Sequence, residues 1–347
     1  MCYNPTALKR ILRIGAIAAL TVLFLGLFLW KSDPRRVVDL MLASNVAWLA
    51  LGFLANLAAL LFRTLRWRTI LDPRHPPPFY ATFFANAVGY TLSTVLPVRA
   101  GDFARPAILS RRTDIRFTTA LGTVLTERIF DLFAILTLFV TFVWSTNRQF
   151  SADPSTAGKF ALVRTAGIIA TLLLLSMALF LVSLYFFRET IRRAHQAVGR
   201  ILPQRFREGW MLFFDSFVAS LALARNHLAL ARVILFTVGI WFSIASQFAF
   251  VFIALRHPLP ITASFFITGM AIVGLMIPTP GGIGGFHKAC QITLTNFYHY
   301  DVNTSVAAAL LVHAVGILPV VLTGAALVIH DGISWRQAAA IGEKPEE

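Results

Sequence analysis

Long apolar runs set the rhythm of this chain. A helix needs about 20 apolar residues to cross a bilayer. Six runs reach or approach that length: Ile14–Trp30, Val46–Phe62, Phe117–Trp144, Phe160–Phe187, Val233–Leu255 and Thr304–Ile329. Two further runs, Phe79–Leu96 and Ile261–Ile277, each end at a cluster of Pro and Gly. The first run follows Lys9, Arg10 and Arg13, as in a signal peptide, but bulky Phe28-Leu29-Trp30-Lys31 offers no small-residue cleavage site. It therefore reads as a retained helix. The pattern predicts an all-α, polytopic membrane protein of about six spanning helices, with two re-entrant hairpins broken at Pro/Gly.

The two broken runs repeat each other. Phe84, Leu96, Pro97 and Gly101 match Phe265, Ile277, Pro278 and Gly282, each 181 residues later. Past the turn, Asp114, Thr118 and Ala120 match Asp301, Ser305 and Ala307 at an offset of 187. Each unit has the order span, apolar run, Pro/Gly break, short return, span; the units cover about Val46–Trp144 and Val233–Ile329. The expected organisation is an N-terminal span and loop over 1–45 and a first repeat with its following span over 46–187. A basic connector over 188–232, a second repeat over 233–329 and a tail over 330–347 complete it. Inverted repeats with broken helices are a transporter design whose substrate site lies near the midplane. In the connector, Trp210, Phe214, Phe217 and Leu221 recur at helical spacing, fitting either a helix on the membrane surface or one packed on the bundle.

Composition narrows the class. Of the 347 residues 57% are apolar and 14% charged, against about 25% charged in soluble domains. A disordered chain and an ordinary cytosolic enzyme are excluded. Cys2 and Cys290 lie at opposite ends, with no disulfide framework or metal spacing. The formal charge is +15, from 26 arginines and five lysines against 16 acids. In so apolar a chain this points to anionic lipid and membrane orientation rather than nucleic acid. If Phe79–Leu96 crosses fully, the basic stretches Arg99–Arg116 and Arg188–Arg232 face outward. If it enters and returns, 20 positives are cytoplasmic, seven are outside and four (Arg99, Arg105, Arg128, Lys288) sit at membrane depth. The positive-inside rule favours the second, with both termini cytoplasmic.

Charge inside the spans marks the candidate chemistry. Glu127-Arg128-Ile129-Phe130-Asp131 begins ten residues past Phe117, roughly 15 Å along a helix. Charges there cost about 2.5–3.5 kcal/mol each on insertion scales. Glu127 and Asp131 share a face, and Arg128 reaches Asp131 at i,i+3. Two acids and one base leave one carboxylate locally unpaired. The acids suit a proton or cationic headgroup and Arg128 a phosphate; the structural alternative is an ion-pair clamp between the repeats. At the first tip, Pro97 stops a helix, Gly101 permits the turn and Asp102 can cap the returning helix. Arg99 and Arg105 there suit a lipid phosphate; alternatively Arg99 only neutralises Asp102 and Arg105 reaches toward the cytoplasm. At the second tip, Gly281, Gly282, Gly284 and Gly285 permit tight turning, while His287 and Lys288 suit an anion or a proton relay. No Gly-Lys-Ser/Thr follows, so this is not a nucleotide loop. His287 has no second ligand at helical spacing, so neither metal nor other cofactor is expected. His313 and Gln247 read as interhelical hydrogen-bonding groups.

At these motifs the chain resembles the lysylphosphatidylglycerol synthase transmembrane-region, or flippase-like, membrane proteins. The resemblance rests on Arg63-Thr-Leu-Arg66-Trp67-Arg68, Leu96-Pro-Val-Arg99-Ala-Gly101-Asp102-Phe-Ala-Arg105, Glu127-Arg128-Ile-Phe-Asp131 and Ile277-Pro-Thr-Pro-Gly-Gly-Ile-Gly284. It spans about Val46–Ile329. It implies a translocator of polar-headed lipids. Some members also carry an aminoacyl-transferase domain; this sequence ends about 18 residues after its last span, so synthesis is not implied. Where the family has Gly-Glu, this chain has Gly101-Asp102. Where the family has a glutamate after the second glycine cluster, it has Phe286-His287-Lys288. The second exchange favours an anionic lipid.

The expected function is thus movement of a phosphate-containing lipid between leaflets of a bacterial inner membrane. Arg99, Arg105 and Arg128 would meet phosphate, and both tips would form the site. Membrane lipids are the expected partners, and a lipid-synthesis enzyme a further one. Two alternatives stand: a glycosyl- or phospho-transferase using a polyprenyl-phosphate lipid, and a non-transporting subunit of a lipid-synthesis complex.

Overall fold

Polar caps punctuate the apolar helices. Asp33 accepts from Arg35 N ahead of Pro34, opening α1 (Pro34–Leu42). Asn45 accepts from Ala47 N and Trp48 N, opening α2 (Val46–Leu71). Asp301 does the same for Asn303 N and Thr304 N at α11 (Val302–His330). Each cap satisfies backbone donors that a helix start otherwise leaves orphaned. Between them run α3 (Phe79–Val95), α4 (Gly101–Arg112), α5 (Phe117–Ala152), α6 (Pro154–Phe186), α7 (Gln204–Leu221), α8 (His227–Ala254), α9 (Ile261–Leu275) and α10 (Gly285–Phe297). These elements come from a computed structural model that describes residues 25–95, 101–186, 203–221, 226–275 and 282–332, with isolated positions at 15, 19, 22, 23, 193, 197, 201 and 223. The first part of the Ile14–Trp30 run is described only at isolated positions, and Arg99 and Gly281 lie outside the described residues.

The protein is an all-helical, polytopic membrane protein. Among the described residues, five helical stretches are long and apolar enough to cross a bilayer: Val46–Leu71, Phe117–Asn147, Pro154–Leu179, His227–Ala254 and Val302–His330. The helices are longer than the apolar runs that announce them. α2 continues nine residues past Phe62, because Arg63-Thr-Leu-Arg66-Trp67-Arg68 is compatible with a helix and buries Thr64, Arg66 and Trp67. The hairpin helices are short. α3, the longest at 17 residues, extends about 26 Å at 1.5 Å per residue, less than a hydrocarbon core of about 30 Å. Each hairpin closes on small residues: a Cβ at Gly101 would overlap the Gly89 carbonyl, and one at Gly274 would overlap the Gly285 carbonyl.

The first helices of the two units run antiparallel along their whole length. Asn45 N donates to Ala254 O at one end (3.0 Å), and Ile70 packs with Ala229 and Val233 at the other. Between these ends, Asn56 donates to Gln247 Oε1 (2.8 Å) and Arg66 donates to Thr237 Oγ1 (3.2 Å). With a shift of 181, Asn56 corresponds to Thr237 and Arg66 to Gln247, so these two bonds are one contact made twice. The hairpins exchange in the same way. α3 packs on α11, with Thr91 Oγ1 donating to Val320 O (3.1 Å). α9 packs on α5, with Phe266 stacked on Phe142 at 4.1 Å.

The offset of 187 past the turn does not survive. Arg116 and Asp301 are the N-cap residues of α5 and α11, which makes the structural offset 185. Asp114 lies in the preceding turn, so its match to Asp301 is one of residue type alone. In the connector, Trp210, Phe214 and Phe217 fall on α7, with Trp210 stacked on Phe214 at 5.8 Å, and α7 packs against α5.

Candidate functional site

Charge is concentrated where α2, α4 and α5 meet. Arg66, on α2, is fully buried. Its Nη1 donates to Asp131 Oδ1 at 2.7 Å, and its Nε stands 3.7 Å from Glu127 Oε1. Arg105, on α4, is equally buried and donates from Nη2 to Glu127 Oε2 at 2.7 Å. Its guanidinium lies 4.5 Å from the Trp67 ring and 4.8 Å from the Tyr90 ring, and its Nη1 donates to Tyr90 Oη at 3.1 Å. Trp67 is anchored through its indole N–H to Thr123 Oγ1 (2.9 Å). Gly89 makes room for the Arg105 stem: a Cβ there would overlap Arg105 Cγ. Arg105 therefore does not reach toward the cytoplasm. Nor is either acid of the Glu127–Asp131 pair left without a base, because α2 and α4 supply the arginines that α5 lacks.

One ion pair of the cluster is open. Arg128 Nη2 donates to Asp102 Oδ1 at 2.8 Å, with side-chain exposures of 41% and 32%. The expected i,i+3 contact to Asp131 is looser, at 3.5 Å. Asp102 lies within the first turn of α4 and spends its carboxylate on Arg128.

The second tip builds a separate group. Gly282 and Gly284 have φ of 72° and 97°, the left-handed region that favours glycine. Gly284 N donates to His287 Nδ1 at 3.2 Å. His287 stacks on His313 at 4.4 Å and packs against Phe28 at 5.1 Å. Lys288 Nζ donates to Leu27 O (2.8 Å) and Gln291 Oε1 (2.7 Å). Asp102, Arg105, Glu127, Arg128 and Asp131 come together; Gly282, Gly284, His287 and Lys288 form their own cluster. Among the described residues, no hydrogen bond or ion pair joins the two groups.

The two groups are nevertheless counterparts. With 181 between α2 and α8, and 185 between α4–α5 and α10–α11, Asp102–Arg128 corresponds to His287–His313. Arg105–Glu127 corresponds to Cys290–Val312, both within one apolar cluster with Phe248 and Ala308, the counterparts of Trp67 and Thr123. Arg66, which meets Glu127 and Asp131, corresponds to Gln247, which donates to the Val312 carbonyl at 2.9 Å and lies against Gly316. The same scaffold carries ion pairs in one unit and apolar and imidazole groups in the other.

The sequence shows Arg66 and Trp67 within a family motif without placing either in the site, and gives no sign of Tyr90. Arg66 was counted with the cytoplasmic positives because it follows the end of an apolar run. A signal was present: Asn56, Arg63 and Arg66 recur at i, i+7 and i+10, which marks one polar face on an apolar helix.

Comparison with known proteins adds two findings. A family described as "Lysylphosphatidylglycerol synthase TM region" matches residues 11–324. "Glycosyltransferase AglD" of Haloferax volcanii is 26% identical over 341 residues, covering 90% of this chain and 53% of that protein. The chain thus spans about half the length of this curated relative.

Proposed function

The chain belongs to the lysylphosphatidylglycerol synthase transmembrane-region family, and on that premise we propose that it moves a phosphate-containing lipid between membrane leaflets, with the first hairpin as headgroup site. The observation that carries this reading is the open Arg128–Asp102 pair. It sits eleven residues into α5, about 16 Å at the helical rise, where charges are tolerated only when they face protein or a wet path. A second support is the sister unit, which forms the same helix arrangement without these charges. Buried ion pairs seldom stabilise more than a well-packed apolar substitute. The charges are thus not required by the scaffold, and a ligand is their most economical reason.

Roles follow from exposure. Arg66 and Arg105 are fixed to Glu127 and Asp131 and form the frame. Arg128 and Asp102 are the exchangeable pair: a headgroup phosphate takes the Arg128 guanidinium, and Asp102 turns to the polar part of the headgroup. The tails stay in the bilayer, so only the headgroup needs a polar path. The excess of positive loops supports an orientation with both termini in the cytoplasm, and a bacterial inner membrane is the location that goes with this reading.

The relative named a glycosyltransferase favours a second reading, in which the bound lipid is a polyprenyl phosphate and the chain serves sugar transfer. Reconstitution separates the two. Protein in vesicles with leaflet-specific labelled phospholipid should equalise the leaflets, and Arg128→Gln should abolish this. Equal rates for parent and variant would remove the first hairpin from the reading. Sugar transfer without lipid movement would favour the second.

A further inference from the structure

One cation of the cluster has no close ion pair among the described residues. Arg63, Arg66, Arg105 and Arg128 face three carboxylates, Asp102, Glu127 and Asp131. The three acids are taken by Arg66, Arg105 and Arg128 at 2.7–2.8 Å. Arg63 has no carboxylate within 4.0 Å among the described residues, and its recorded contact is with the Tyr90 ring, 4.9 Å from its guanidinium carbon. Tyr90 also holds Arg105, through its ring and its hydroxyl. One aromatic ring therefore serves two guanidiniums, while only Arg105 has a carboxylate. Arg63 and Tyr90 are both half-buried, and Tyr90 lies within electrostatic reach of Arg128, the open member of the cluster. Arg63 lies eight residues before the end of α2, about 12 Å along the helix.

We propose that Arg63, seated on Tyr90, is the cation that completes a phosphate site. It would take a mono- or diester whose negative charge neutralises the surplus of one. This rests on the reading above and assigns within it the residue that selects for phosphate. A guanidinium suits the role because it offers planar paired donors and keeps its charge when partly desolvated. Arg63 feels Asp131 only at longer range and has no ion pair to break on binding, whereas Arg66 and Arg105 must first break one. Arg63 therefore sets affinity without holding the fold.

The test uses the full chain in zwitterionic nanodiscs, titrated with dihexanoyl phosphatidylglycerol and separately with inorganic phosphate. Arg63→Gln should weaken binding of the short-chain lipid at least tenfold, with Arg63→Lys in between. Without ligand, Arg63→Gln should melt within about a degree of the parent, while Arg66→Gln melts well below it. Parent-like binding by Arg63→Gln would overturn the assignment, as would a melting fall equal to that of Arg66→Gln. Binding of inorganic phosphate as tight as that of the lipid, and lost in Arg63→Gln, would support the anion site and make free phosphate its source. Absence of lipid movement by the parent would count against the functional reading alone and leave the binding result standing.

Discussion

The two hairpins are the same object made from different materials. In the first, Arg105 and Glu127 are both fully buried and bonded at 2.7 Å. In the second, the matching positions are Cys290 and Val312, packed in an apolar cluster. At the next pair the first unit places Asp102 against Arg128, and the second stacks His287 on His313. Hairpin geometry is thus set by helix lengths, glycine crossings and the exchange of partners between units. The difference teaches where to look for function: whatever the ion pairs do, the apolar hairpin holds its shape without them.

The strongest way to break this comparison is to move one hairpin's material into the other. Arg105→Cys alone should leave Glu127 without its closest base and cost about 3–5 kcal/mol, the usual result of halving a buried pair. Arg105→Cys with Glu127→Val reproduces the second unit and should recover much of that loss, although Arg66 then keeps only Asp131. Thermal melting in detergent checks both. A double variant no more stable than the single would show that the first hairpin depends on its charges. The glycine crossings sharpen the likeness instead. Gly101→Ala and Gly274→Ala each push a Cβ into a neighbouring carbonyl, and each should destabilise by roughly 1–3 kcal/mol, as overpacking does. A large fall in only one would show that the hairpins close differently.

Smaller effects test the open groups. Arg128→Gln should lower stability by about 1 kcal/mol or less, since half-exposed ion pairs contribute little, while abolishing lipid movement. The smallest effect lies where the first hairpin meets the end of α11. Asp331 accepts from Tyr80 Oη and Arg112 Nη2, both at 2.6 Å. The Tyr80 hydroxyl, followed by His330 and Arg112, holds its carboxyl down at about 2. A carboxyl lowered in the folded state adds stability that is complete above the ordinary carboxylate range and lost as pH falls toward 2. Melting followed from pH 5 to pH 2 should show a modest decline that Asp331→Asn flattens.

Much of this architecture was legible in the sequence, for physical reasons that also explain what was not. A bilayer demands long apolar helices, so the runs at Val46, Phe117 and Val233 announced themselves. Pro and Gly mark helix breaks, so both hairpins were visible. The shift of 181 was legible because Pro97 and Pro278 punctuate the chain identically, whereas 187 came from an aspartate match that no cap confirms. The pairing of charges was hidden. Arg105 and Glu127 are 22 residues apart on different helices, and Arg66 reaches Asp131 across 65. A local count therefore saw an unmatched acid where the fold supplies two bases. Arg63 falls among the cytoplasmic positives for the same reason as Arg66: both lie beyond the apolar run but within the helix.

The seam between α2 and α8 carries one more consequence. Its two central bonds, Asn56 to Gln247 and Arg66 to Thr237, are equivalent under exchange of the units. A joint of that kind is indifferent to which way it faces. Tilting one unit against the other about this axis would bear on two equivalent positions alike, like a see-saw pivoted at its centre. Any vectorial bias must then come from loading one arm, and the unequal load in this molecule is the set of arginines and acids that only the first unit carries.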